Sequence, residues 1–207
     1  SMIPQPKLSS DKLFMLVVYL FARFHAVVRE KSDAIEMRAI ATAFSVAQLL
    51  GANVPTDDAF MRWFWTTLGP VIYAPIGHRE YDQHARVIFH ELGHVVQFWR
   101  EGLGFVTRYL TSRGRAELEA EAERGAIEAW WLLTGTLPEG IDALAITRHG
   151  YALDESHARL TADLLETACV SVSQGIISTD VGIEVLTWLK QHAPDAIVGH
   201  VHEVKSS

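Results

Sequence analysis

The stretch His90-Glu91-Leu92-Gly93-His94 decides how this chain is read. It sets two imidazoles four residues apart, with a carboxylate beside the first. At about 3.6 residues per turn, positions i and i+4 share one face of a helix, so both rings can reach a single ion while the backbone holds them. Glu91 lies about 100° round the helix from His90. It therefore misses the ion and reaches water beside it, where a general base belongs. The flanks Ala85-Arg86-Val87-Ile88-Phe89 and Val95-Val96-Gln97-Phe98-Trp99 are apolar at helical spacing and hold no proline. They predict a largely buried helix from an N-cap near Asp82 to Glu101-Gly102, where glycine accepts a left-handed end. Two histidines and a glutamate inside such a helix are costly unless satisfied, and a metal ion satisfies them directly. Gln97, one turn past His94, falls on the same side, where it can orient a ligand or bond at the rim of the core.

A third ligand is needed, and a second helix offers candidates. Arg115 to Leu133 is rich in helix formers and ends at Gly135. It carries two carboxylate pairs at i, i+4: Glu117 with Glu121, and Glu119 with Glu123. Like charges at this spacing repel unless a cation or proton lies near, and the two pairs occupy different faces. One pair therefore belongs to a solvated acidic face, while the other can meet the histidines. Zinc held by two histidines and one glutamate is a known catalytic set that keeps its fourth position for water.

With Glu119-Ala120-Glu121-Ala122-Glu123-Arg124-Gly125-Ala126 following the histidine motif, the chain resembles the gluzincin metallopeptidases, in particular bacterial and phage-type zincin-like domains. The resemblance covers roughly residues 60 to 131. It implies Zn2+ as cofactor, Glu119 as third ligand, and Glu123 as a hydrogen-bond partner that orients one histidine. Ala122 and Ala126 then stand where helices pack closely. Glu117 makes the frame ambiguous and is the alternative ligand. The resemblance further implies a strand beside the motif helix whose free edge pairs with an extended peptide or protein substrate. Phe64 to Leu68 and Val71 to Pro75, around Gly69-Pro70, read as that hairpin, although a hairpin with no ligand fits the same residues.

Metal-assisted hydrolysis also needs a donor for the developing oxyanion. His149, Tyr151 and His157 cluster in a segment able to fold back over the site, and Tyr109 is a further candidate.

The rest of the chain sets bounds. With 207 residues and 49% apolar composition it fills one domain: helices over residues 3–55, a metal-site core over 60–135, and helices over 150–195. Ser1-Met2 reads as an expression scar. The expected class is α+β, mostly α, zincin-like, with a small sheet beside the motif helix. Residues 11–30 read as one buried helix, 33–50 as a second and 57–62 as a short third; residues 102–114 read as a connection, and 154–174 and 181–192 as late helices. The net charge of −7, with scattered basic residues, gives no nucleic-acid footprint. Arg23 and His25 interrupt the apolar run Leu13 to Phe24 well short of the about 20 residues a membrane span needs. No signal peptide is recognised, and the expected compartment is the cytoplasm. The lone Cys169 offers neither an internal disulfide nor a structural zinc cluster. Oligomeric state is left open.

Two rival readings stand beside the hydrolase. One is a partner-binding or regulatory module that holds zinc without cleaving anything, which a fourth protein ligand would mark. The other is a metal-free helical interaction protein using Trp63, Trp65, Trp99, Trp130 and Trp131, although their positions on apolar faces suit a core better.

Overall fold

Leu13, Leu16, Val17 and Leu20 recur at helical spacing and form the buried side of α1 (Ser10–Arg23), capped by the Ser9 hydroxyl, which accepts the Lys12 N–H at 3.3 Å. A computed structural model describes residues 4–51, 56–75, 80–138 and 153–205. After α1 come β1 (Val27–Glu30), a 3-10 turn (Lys31–Asp33), α2 (Ile35–Leu49), α3 (Asp57–Trp63), β2 (Thr66–Leu68) and β3 (Val71–Ala74). Then follow α4 (Ala85–Glu101), α5 (Leu103–Leu110) and α6 (Ser112–Thr134). The chain closes with α7 (Glu155–Ser173), β4 (Ile176–Ile177), α8 (Asp180–His192), a 3-10 turn (Pro194–Ala196) and β5 (Glu203–Val204). The class is α+β and mostly helical, as expected.

The main core lies among α1, α4, α6 and α8. Ile88, Phe89, Leu92 and Val95 of α4 meet Ala126, Ala129, Leu132 and Leu133 of α6 together with Val185, Leu186 and Leu189 of α8. Each of the buried Val, Leu, Ile and Phe side chains among them contributes about 1.5–3 kcal/mol by leaving water, and the stripe they form fixes which face of α4 is left for polar residues. That remaining face carries His90, Glu91, His94 and Gln97, all buried. A smaller cluster of Ala34, Met37, Ala41, Phe60 and Tyr73 joins α2, α3 and the sheet.

The sheet order is β1-β3-β2. β2 and β3 form the expected antiparallel hairpin around Gly69-Pro70, with Thr67 opposite Ile72. β1 runs parallel to β3, Val28 opposite Ile72, and α2 and α3 carry the crossover. Both strands of the hairpin pack on α4.

Several boundaries differ from expectation. The helix read over residues 11–30 ends at Arg23, because His25 takes φ +51° and the β-branched Val27 and Val28 pair with β3. Residues 103–110, read as connection, form α5, whose Phe105 packs inward. Its apolar residues gain little as an isolated turn and become helical against α6. α4 begins at Ala85 without a side-chain cap, and Asp82 instead accepts the Ser10 hydroxyl. α6 starts earlier than Arg115, capped by Thr111. Trp63 and Trp99 are exposed rather than core residues, while Trp65, Trp130 and Trp131 are partly buried. Among the described residues, no helix is long and apolar enough to cross a membrane.

Candidate metal centre

The crossing of α4 and α6 builds the site. Gly93 makes close approach possible: a Cβ placed there would lie 2.8 Å from Cα and 3.0 Å from Cβ of Ala122. With the backbones this near, Glu119 and Glu123, one turn apart on α6, flank His90 on α4. Glu119 Oε2 lies 3.0 Å from Nε2 of His90 and 3.4 Å from Nε2 of His94. All three side chains are buried, and one donor atom from each falls within 4.8 Å of the others, an arrangement that could hold a metal ion.

The donor set suits a small divalent cation. Ligands at about 2.0–2.1 Å around a tetrahedral centre are spaced about 3.3 Å apart, close to the separations across Glu119. The outer ring nitrogens are also engaged, as a ligating histidine requires. His90 Nδ1 lies 2.9 Å from Glu123 Oε2, and His94 Nδ1 lies 2.9 Å from Gln97 Oε1. A carboxylate and an amide oxygen only accept, so each Nδ1 carries the hydrogen and each Nε2 faces Glu119. Gln97 is itself fixed by donating its amide to the Leu118 carbonyl at 2.8 Å. Glu123 is held by Arg86, whose guanidinium donates to Oε1.

Electrostatics follow from that crowding. Burial is the largest single effect on His90 and pulls its pKa down, but the bonds and charges of Glu119 and Glu123 together outweigh it and hold the value well above ordinary. His94 is raised for the same reason, with Glu119 overcoming burial. Glu119 is conversely held well below the usual carboxylate range, because the two imidazoles outweigh the upward push of burial. Glu123 is lowered too: His90 and Arg86 overcome its burial.

Glu91 projects beside this group, near enough that its charge acts on both His94 and Tyr109. Its Oε2 accepts the hydroxyl of Thr67 on β2 at 2.5 Å. Tyr109 of α5 donates its hydroxyl to Oε1 of Glu119, and its ring stands perpendicular to His94 at 6.0 Å. Burial pushes the Tyr109 phenol far up, and Glu119 adds to the shift.

The other sequence candidates lie elsewhere or beyond description. Glu117 joins Arg108 and Arg113 at 3.2 and 3.1 Å on the partly exposed side of α6, and Glu121 pairs with Arg100. Neither belongs to the buried group. His157 sits at the start of α7 with Asp154 at 2.7 Å and Ser112 at 2.9 Å. His149 and Tyr151 lie outside the described residues.

Two residues escaped sequence reasoning. Thr67 carries no local signal, because nothing in a short β-run reveals which helix its hydroxyl faces. Lys31, beyond β1, is fully buried: its Nζ donates to the Phe60 carbonyl at 2.7 Å and lies 3.5 Å from the centre of the Phe60 ring. Burial lowers its pKa to about 7, while the charge of Glu91 pulls the other way. A lysine three residues after a Val-Val pair gives no hint of such burial.

No family model, curated protein or solved structure gives a significant match to the chain. The buried triad is accordingly the basis for assigning function.

Proposed function

We propose that this protein is a zinc-dependent hydrolase of the gluzincin kind that cleaves peptide bonds. The observation that carries the reading is the convergence of His90, His94 and Glu119 in one buried group, with Glu91 beside it. Among the described residues this group offers three protein donors and no fourth, which favours an open catalytic site over a closed structural one. The chemistry zinc contributes in such a site is Lewis acidity, which brings the pKa of water towards neutrality and polarises a carbonyl.

The side chains supply the remaining work. Thr67 occupies Oε2 of Glu91, so Oε1 is left to take the proton of the attacking water. As the water oxygen bonds to the carbonyl carbon and the C–N bond breaks, Glu91 passes that proton to the departing amine. Glu123 and Gln97 keep the two rings turned for ligation.

A peptide substrate is favoured by the sheet. β2 is the outer strand of the order β1-β3-β2, and its far edge is unpaired among the described residues. An extended chain added there passes beside Thr67 and Glu91.

The test measures zinc content and peptide turnover in the wild type and in Glu91→Gln. The expected variant keeps its zinc and loses turnover by about 10²–10⁴-fold. Equal turnover in both proteins removes Glu91 from the mechanism.

A further inference from the structure

Each oxygen of Glu119 has a different neighbour. Oε2 faces the Nε2 atoms of both histidines at 3.0 and 3.4 Å, whereas Oε1 accepts the hydroxyl of Tyr109. We propose that Tyr109 is a positioning residue that fixes how Glu119 binds a cation: by occupying Oε1 it restricts the carboxylate to one-point ligation through Oε2 and keeps a coordination position free. This rests on the reading of the triad as a divalent-cation site.

The physical argument starts from the carboxylate. Glu119 is only 3% exposed, so an Oε1 without Tyr109 would have no water to turn to. It would satisfy itself by rotating onto the cation as a second ligand atom, as carboxylates readily do, and the position meant for water would be filled. Tyr109 is well placed to prevent this. Its ring lies 5.7 Å from that of Phe105 and 6.0 Å from that of His94, and its carbonyl accepts Nη1 of Arg115 at 2.9 Å. Backbone and ring are thereby fixed while the hydroxyl points at Glu119.

The same geometry revises the role expected of Tyr109 from sequence. A phenol has a single hydrogen to donate, and here Glu119 receives it. While that bond stands, Tyr109 has no donor left for an oxyanion.

Cobalt(II) is the probe, because four-coordinate cobalt absorbs visible light several-fold more strongly than five- or six-coordinate cobalt. Metal-free wild type, Tyr109→Phe and Phe105→Leu are titrated with cobalt, with circular dichroism reporting the fold. The expected result is an intense spectrum for wild type and for Phe105→Leu. Tyr109→Phe should bind the same equivalent of cobalt with a spectrum several-fold weaker. An unchanged spectrum in Tyr109→Phe overturns the proposal, as does an equal weakening in Phe105→Leu, which would assign the effect to packing. A weak spectrum in the wild type itself overturns it without any variant. Failure of folded wild type to bind cobalt removes the metal reading first and this inference with it, so the two failures are distinguishable.

Discussion

Gly93 on α4 and Ala122 on α6 meet backbone against backbone, with space for no atom at the Gly93 Cβ position. This contact sets the helix separation at which Glu119 reaches both imidazoles. An alanine in a helix interior is intrinsically better than glycine by about 1 kcal/mol. Forcing an extra methyl into a packed contact costs about 1–3 kcal/mol. Cα of Ala122 is backbone and cannot swing aside as a side-chain end would, so the steric cost wins. Gly93→Ala is therefore expected to unfold at lower urea and to bind zinc more weakly. A variant more stable than wild type would show that the helices have room to spare.

The ligand frame and its supports separate by metal affinity. Glu119→Ala is expected to lose zinc, while Glu117→Ala, which only breaks bonds to Arg108 and Arg113, retains it. Gln97→Leu and Glu123→Ala leave the ligand atoms in place but release the rings, and should each weaken zinc by about 10–100-fold. Competition with a chromogenic chelator ranks all four. Retention by Glu119→Ala with loss in Glu117→Ala would shift the frame by two residues.

Thr67 gives a kinetic prediction within the hydrolase reading. Thr67→Val keeps the shape of the side chain and removes the hydroxyl that holds Glu91 Oε2. The expected outcome is a fall in kcat with KM and zinc content little changed. Thr67→Ser, which restores the donor, should recover most of the rate. A valine variant with wild-type kcat would reduce Thr67 to packing.

Lys31 gives a pH prediction. Its pKa falls from 10.5 in the open chain to about 7 in the fold, so between those values the unfolded chain holds a proton that the folded protein lacks. Stability from this group therefore rises as pH climbs from about 7 to 10.5, and the burial penalty is present in full below the lower value. The span corresponds to a penalty on the order of a few kcal/mol. Lys31→Met should be more stable than wild type at neutral pH, and its advantage should shrink towards pH 10.5. Denaturant melts at several pH values check this; a difference that stays constant with pH would refute it.

How far the sequence reaches is visible at individual residues. The His90/His94 spacing and the apolar stripe of α4 are properties of one helix, and a helical period fixes them locally. Glu119 and Glu123 were narrowed to one of two pairs in the same way. Helical period alone leaves both pairs open, since turning α6 by two residues exchanges which carboxylates face α4; only the resemblance singles out Glu119, with Glu117 as the alternative. β1 and α5 lie outside that reach: β1 is stabilised by β3, distant in sequence, and α5 by packing on the helix that follows it, which its own short apolar run does not announce.

The amino-acid sequence by itself determined the helix periods, the hairpin at Gly69-Pro70 and the pair of histidines on one face, because each depends on neighbours within a turn or a strand. Tertiary structure decided which carboxylate pair faces them and that Tyr109 and Thr67 complete the arrangement. Those contacts arise from the way α4, α5, α6 and β2 pack. Their energy comes from buried groups finding partners across the core, and no spacing along the chain encodes it.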